Sequence, residues 1–211
     1  MRYRLFASLC FVPLSAAVAA VTGDLPAARR DAWDICRDTT KLAAAVACTE
    51  LINGSAWLTP PELVEAHFNR GTAYFRNRQP AKALDDFDRV IALDPSLVSA
   101  FVLRGAARAQ TGDLDAALAD FNQALVANPD DPLVLVDRAR TLAAKGDLGN
   151  AIADASRAIM LDPRYAFAFA VRGVLHEAEG NSAAARTDYA AALAIDPDLV
   201  VARQGLRRLA E

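Results

Sequence analysis

Residues 93–105, LDPSLVSAFVLRG, read as the end of one helix, a turn carrying a proline, and the start of another helix. Nearly the same punctuation returns as ANPDDPLVLVDRA at 127–139, LDPRYAFAFAVRG at 161–173 and IDPDLVVARQGLR at 195–207. The prolines Pro95, Pro129, Pro163 and Pro197 stand 34 residues apart at every step. A fixed period of that length marks a repeat architecture.

Set in rows of that length, the chain runs Val64–Leu97, Val98–Asp131, Pro132–Tyr165 and Ala166–Leu199. One column then reads Gly71, Gly105, Ala139 and Gly173, and a second Ala83, Ala117, Ala151 and Ala185. These are small residues where two antiparallel helices must cross closely. A third column, Phe87, Phe121, Ala155 and Tyr189, supplies the bulky side chain between neighbouring hairpins. Ala155 breaks it, so the third row is expected to pack more loosely or to be compensated by its neighbours.

Within a row the apolar spacing is helical. In the second row Leu114, Ala117, Leu118, Phe121, Ala124 and Leu125 draw one stripe. Each second helix stops at an Asp-Pro or Asn-Pro step, because proline lacks the donor and disfavours helix in the residue before it. Between the paired helices lie NRQP, TGDL, KGDL and EGNS. Gly112, Gly146 and Gly180 suit a left-handed helix end, and Asp113, Asp147 and Asn181 a following N-cap. Each row is one helical hairpin.

Gly71 with Tyr74, Ala83, Phe87 and Pro95 resembles the tetratricopeptide repeat, and the resemblance extends over residues 64–199. Arg108, Leu142 and His176 replace Tyr74 in the later rows, Ala139 the glycine and Ala155 the aromatic. The implied fold is all-α, a right-handed solenoid of antiparallel hairpins. Its expected division is a signal peptide over 1–20, a degenerate hairpin over 21–63, four repeats (64–97, 98–131, 132–165, 166–199) and a capping helix over 200–211. Arg203, Arg207 and Arg208 of that last helix are expected to face water.

Arg70, Arg104, Arg138 and Arg172 recur with the same period, as do Asp86, Asp120, Asp154 and Asp188. A catalytic residue is needed once, not four times. These columns are read as an ion-pair ladder, within or between hairpins, of partly exposed pairs worth about 0–1 kcal/mol each.

The N-terminal MRYRLFASLCFVPLSAAVAA has two arginines, a short apolar run and small residues at Ala17, Ala19 and Ala20. That is the layout of a secretory signal peptide cut after Ala19 or Ala20; a retained membrane anchor is the alternative, although the run is short and holds Pro13. After cleavage, 23 Lys and Arg less Arg2 and Arg4 leave 21 basic against 26 acidic side chains, a net charge of −5. Such a chain does not suit nucleic acid or anionic lipid as its main partner. Cys10 would leave with the signal. Cys36 and Cys48 then remain as an even count in an oxidising compartment, and a disulfide is the inference, with two independent buried thiols as the alternative. In AWDICRDTTKLAAAVACTELI, two short helices break near Asp38–Thr40. Cys48 falls where a repeat carries its aromatic, so a bridge would staple a shortened first hairpin worth on the order of 3 kcal/mol. This cysteine-containing hairpin ahead of the repeats resembles those of bacterial exported repeat proteins. Thr59, Pro60 and Glu62 form a capping-box pattern for the first full hairpin.

The resemblance implies that the first helix of each hairpin lines a concave surface that holds peptides or partner proteins. The residues expected there are Phe68, Thr72, Phe75, Val102, Leu103, Ala106, Leu133, Val136, Arg140, Phe167, Val171 and Val174. Some family members clamp a terminal carboxylate with basic residues; the matching places here are Phe68, Thr72, Leu103, Leu133 and Asp137, none of them basic. An apolar groove fits a helix or an extended hydrophobic segment. The reading is a periplasmic, non-enzymatic scaffold for an envelope protein or peptide, with no cofactor and no metal. Self-association and a regulatory role beside an envelope enzyme are the alternatives. His67 and His176 are read as packing or surface residues, lacking any grouped partner.

Overall fold

A computed structural model describes residues 27–210. The signal-peptide segment over 1–20, with its cleavage point, lies outside the described residues, as do residues 21–26 and Glu211. Eleven α-helices are described: α1 (Ala27–Arg37), α2 (Ala43–Asn53), α3 (Pro60–Arg76), α4 (Pro80–Leu93), α5 (Val98–Thr111), α6 (Leu114–Ala127), α7 (Pro132–Ala144), α8 (Leu148–Leu161), α9 (Ala166–Ala178), α10 (Ser182–Ile195) and α11 (Val200–Arg208). A single 3₁₀ turn, Ser55–Trp57, joins α2 to α3. No strand occurs among the described residues. Consecutive helices pair into hairpins α3–α4, α5–α6, α7–α8 and α9–α10, and each hairpin packs on the next. The first helices of neighbouring hairpins also approach one another, α3 with α5, α5 with α7 and α7 with α9, and the second helices do so less closely. The array therefore curves with its first helices on the inside.

The turn chemistry follows from the residues. Gly112, Gly146 and Gly180 adopt φ of +91°, +87° and +80°, the left-handed conformation that ends a helix at little cost only for glycine. In the first hairpin Arg78 takes that conformation instead, at φ 58°. Asp113, Asp147 and Asn181 then accept from the backbone N–H of Ala116, Asn150 and Ala184. At the entry to α3 the Glu62 carboxylate accepts from the Thr59 N–H at 2.7 Å and its hydroxyl at 2.8 Å. These bonds hold the Glu62 carboxyl below its ordinary range.

The small-residue columns are enforced by the aromatic ones. A Cβ at Gly71 would lie 3.0 Å from the Phe87 ring, and one at Gly105 3.0 Å from Phe121. The third hairpin carries both departures together, Ala139 for the glycine and Ala155 for the aromatic. The smaller side chain on α8 leaves room for the Cβ on α7, so the two changes compensate. Ala139 and Ala155 are both fully buried in one continuous cluster with Phe121, Leu125, Leu135 and Leu175.

The Cys36–Cys48 disulfide is formed, joining α1 to α2 with Cα atoms 4.9 Å apart. Both cysteines are buried with Trp33, Ala47, Leu51 and Ala66, so the bridge lies inside the packing of this hairpin against α3. At the far end, α11 covers Tyr189. Arg203 and Arg207 are exposed as expected, and so is Arg208, but its guanidinium is also held by Glu177 at 2.8 and 2.9 Å. Glu177 in turn accepts from the Tyr189 hydroxyl at 2.6 Å. The donated bonds from Arg208 and then Tyr189 hold Glu177 at a pKa of about 2.

Candidate functional site

The arginine column acts on both sides of every hairpin. Arg70, Arg104, Arg138 and Arg172 each donate Nε and Nη2 to the aspartate of their own hairpin, Asp86, Asp120, Asp154 and Asp188, over 2.6–3.0 Å. This is the bidentate fork that a planar guanidinium and a carboxylate form. The remaining Nη1 reaches back to the preceding hairpin: Arg104 to Asp88, Arg138 to Asn122, Arg172 to Ser156. Arg70 does the same to Thr49, the residue after Cys48 in α2. The stapled hairpin thus receives the same contact as a full repeat.

The carboxylates of these pairs are buried, not partly exposed: Asp86 and Asp120 are 2% and 3% accessible. Removing one partner leaves a buried charge, a larger loss than an exposed pair would give. His67 also departs from the expectation of an ungrouped residue. It is buried, with Nδ1 2.8 Å from Asp86. His176 lies 3.9 Å from Asp188 and 3.5 Å from Glu179. His67 thus joins the aspartate that its hairpin already uses, whereas His176 makes no hydrogen bond to Asp188 and its Nδ1 is buried without a hydrogen-bond partner among the described residues. Histidine at 67, three residues before the arginine, was the available signal, since such spacing shares a helix face.

Inside the curve, α3, α5, the start and middle of α6, and α7 enclose a cleft of roughly 520 Å³. Five of the expected groove residues line it: Phe75, Val102, Leu103, Ala106 and Arg140. Ala109, Gln110, Leu114, Phe121, Asp137, Thr141 and Ala144 complete the wall. Phe68 is not in the cleft wall; it packs edge-on to Phe87 with ring centroids 6.2 Å apart. Leu133 and Val174 are exposed elsewhere on first helices, and Phe167 lies under the Arg140 guanidinium, 5.8 Å from its centre.

Three expected groove residues are corrected. Thr72, Val136 and Val171 are buried, at 7%, 1% and 7% accessibility. Each is turned into the contact between helices, and Thr72 gives its hydroxyl to the Phe68 carbonyl at 2.7 Å. A helix face broad enough to meet both its hairpin partner and the next hairpin leaves little of itself for a groove.

Asp137 and Arg140 are the only charged residues in the wall described. Arg140 Nη1 donates to Asp137 Oδ1 at 3.2 Å. Burial pushes the Asp137 carboxyl above its ordinary value against the pull of Arg140. Burial likewise raises the nearby Tyr165 phenol, with Asp137 adding to the effect. No cluster of three or more His, Cys, Asp or Glu able to hold a metal occurs among the described residues. No described helix is long and apolar enough to cross a membrane.

These features define a class: a curved array of helical hairpins with a cleft along its inner face. Tetratricopeptide repeat profiles match residues 70–141 and 133–200, overlapping only over the first helix of the third hairpin. The chain belongs to the tetratricopeptide repeat family. Among solved structures it is similar to MamA, with a TM-score of 0.66 at 19% identity, covering 81% of this chain and 92% of that one. It is also similar to YrrB, described as a TPR protein with an unusual peptide-binding site (TM-score 0.63, 20% identity, 78% and 82% covered). The first TPR domain of Spaghetti bound to an HSP90 peptide matches with a TM-score of 0.51 at 23% identity, covering 54% of this chain and 90% of that one. At these identities the likeness is one of fold. No curated protein matches the chain in sequence.

Proposed function

We propose that this protein is a non-enzymatic scaffold that holds a segment of a partner protein in the cleft inside its curve. The observation that carries the reading is the cleft itself, roughly 520 Å³ and walled by Phe75, Val102, Leu103 and Ala106 with only two charges. A concave site of this size, with apolar side chains beside Gln110, Asp137, Arg140 and Thr141, suits a few side chains of a helix or extended peptide. That two proteins of similar fold are described with peptide sites supports it. The proposed setting is the bacterial periplasm, supported by the signal-like pattern of residues 1–20 and by a buried disulfide, a bond that persists in oxidising compartments.

Two measurements test the reading. Partners are captured from an envelope extract with the parent and with Ala106→Glu, which puts a charge into the cleft wall. A partner held by the cleft is lost with the variant while the helical circular dichroism is unchanged; equal capture by both refutes the cleft as the site. The intact mass of protein from its native host, before and after reduction, tests the setting. A start at Ala20 or Val21 with thiols that react only after reduction is expected, and a full-length chain with two free thiols refutes export.

A further inference from the structure

We propose that the cleft takes an apolar segment bearing one lysine or arginine, whose cation docks on the unused oxygen of Asp137. This rests on the scaffold reading above and names the chemistry of its partner. Asp137 Oδ1 accepts from Arg140, and Oδ2 has no hydrogen-bond donor among the described residues. An ionised carboxylate has room for about four donors, so most of its accepting capacity is unused.

The two charges of the wall are not equivalent. The Asp137 side chain is 35% accessible and that of Arg140 59%, so the negative group is the more enclosed. Arg140 is further occupied by the Phe167 ring beneath it. A second carboxylate, Asp131, is near enough to push against Asp137. It is fixed there because it caps α7, accepting from the N–H of Leu133 and Val134. Two carboxylates against one guanidinium leave this end of the cleft negative.

That balance discriminates between guests. A wholly apolar segment would cover Asp137 and strip its water without replacing it. A guest carboxylate near Asp137 would face Asp137 and Asp131 with only a shared Arg140 in return. A guest cation supplies the missing donor and offsets the charge, while the aliphatic stem of lysine or arginine lies on Leu103 and Ala106.

The probe is a displayed library of random twelve-residue peptides selected on the full chain, with binding of individual peptides read by fluorescence anisotropy. The expected result is selected peptides with a basic residue beside apolar ones. Their affinity should fall about tenfold with Asp137→Asn and vanish with Ala106→Glu, both variants keeping the parent's melting curve. Asp137→Ser, which also removes the charge, should repeat the loss. If the peptides need the cleft, as shown by Ala106→Glu, but are acidic or indifferent to Asp137→Asn, the inference is overturned and the scaffold reading stands. If no selected peptide depends on Ala106, the scaffold reading fails and takes this inference with it.

Discussion

Gly205→Ala is the substitution whose effect the structure determines most directly. Gly205 of α11 faces the ring of Tyr189, and a Cβ there would have ring atom Cδ2 2.7 Å away, with Cε2 and Cζ nearer still. Carbon atoms rest at about 3.5–4.0 Å, so the ring or the helix has to give by at least about 0.8 Å. The ring has nowhere to go. It is fully buried, Gly173 of α9 lies against its other edge with a Cβ position 2.7 Å from Cε1, and its hydroxyl is held by Glu177. The helix therefore moves, and overpacking of this kind costs about 1–3 kcal/mol. Because solenoid repeats contact only their neighbours, the loss should stay at the C-terminal end. Amide hydrogen exchange is the assay: protection should fall in α11 and α10 and remain in α3 to α6. Tyr189→Leu removes the obstacle, so Gly205→Ala should cost at least 1 kcal/mol less in that background, read by urea melts. Equal cost in both backgrounds, or no loss of protection in α11, would refute the packing argument.

Ala155→Phe tests the same logic in the third hairpin: it should cost about 1–3 kcal/mol alone, and adding Ala139→Gly should recover part of that in thermal melts. Replacing Cys36 and Cys48 by alanine should remove about 3 kcal/mol from a loop of this length, seen as faster proteolysis at α1 and α2 with the repeats intact; unchanged proteolysis would count against the staple. Glu177 gives a pH dependence. Its folded pKa of about 2 lies below the ordinary 4.5, so its contribution is full above about pH 4.5 and is lost as pH falls towards 2. The stability gap between the parent and Glu177→Gln should narrow over that window in urea melts, and a constant gap would show that the Arg208 contact contributes nothing.

The repeat period was legible because each hairpin has to solve the same packing problem with the same residues. Proline at the stop, glycine or alanine at the crossing and an aromatic between hairpins are local demands, and local demands leave a periodic trace. The ladder of arginines and aspartates was legible for the same reason. Its burial was not, because exposure depends on what the next hairpin covers. The candidate site was read only in part. Phe75, Val102, Leu103, Ala106 and Arg140 reach the cleft, but Thr72, Val136 and Val171, on the same helices, are turned into the core.

That each arginine forks onto the aspartate of its own hairpin came from the structure. Sequence by itself determined that this chain is an array of helical hairpins, where the helices end, and which charged columns recur with the repeat. Those facts follow from spacing, backbone preference and charge, which act over a few residues or over one fixed period. Only the tertiary structure decided that Ala139 and Ala155 compensate each other, that His67 joins Asp86, and that Asp137 faces the cleft with an oxygen to spare. Each of these depends on contact between helices, where a rotation of one helix by a fraction of a turn exchanges a groove residue for a core residue. That rotation is set by the summed packing of both neighbours and has no signature in any single stretch of the chain.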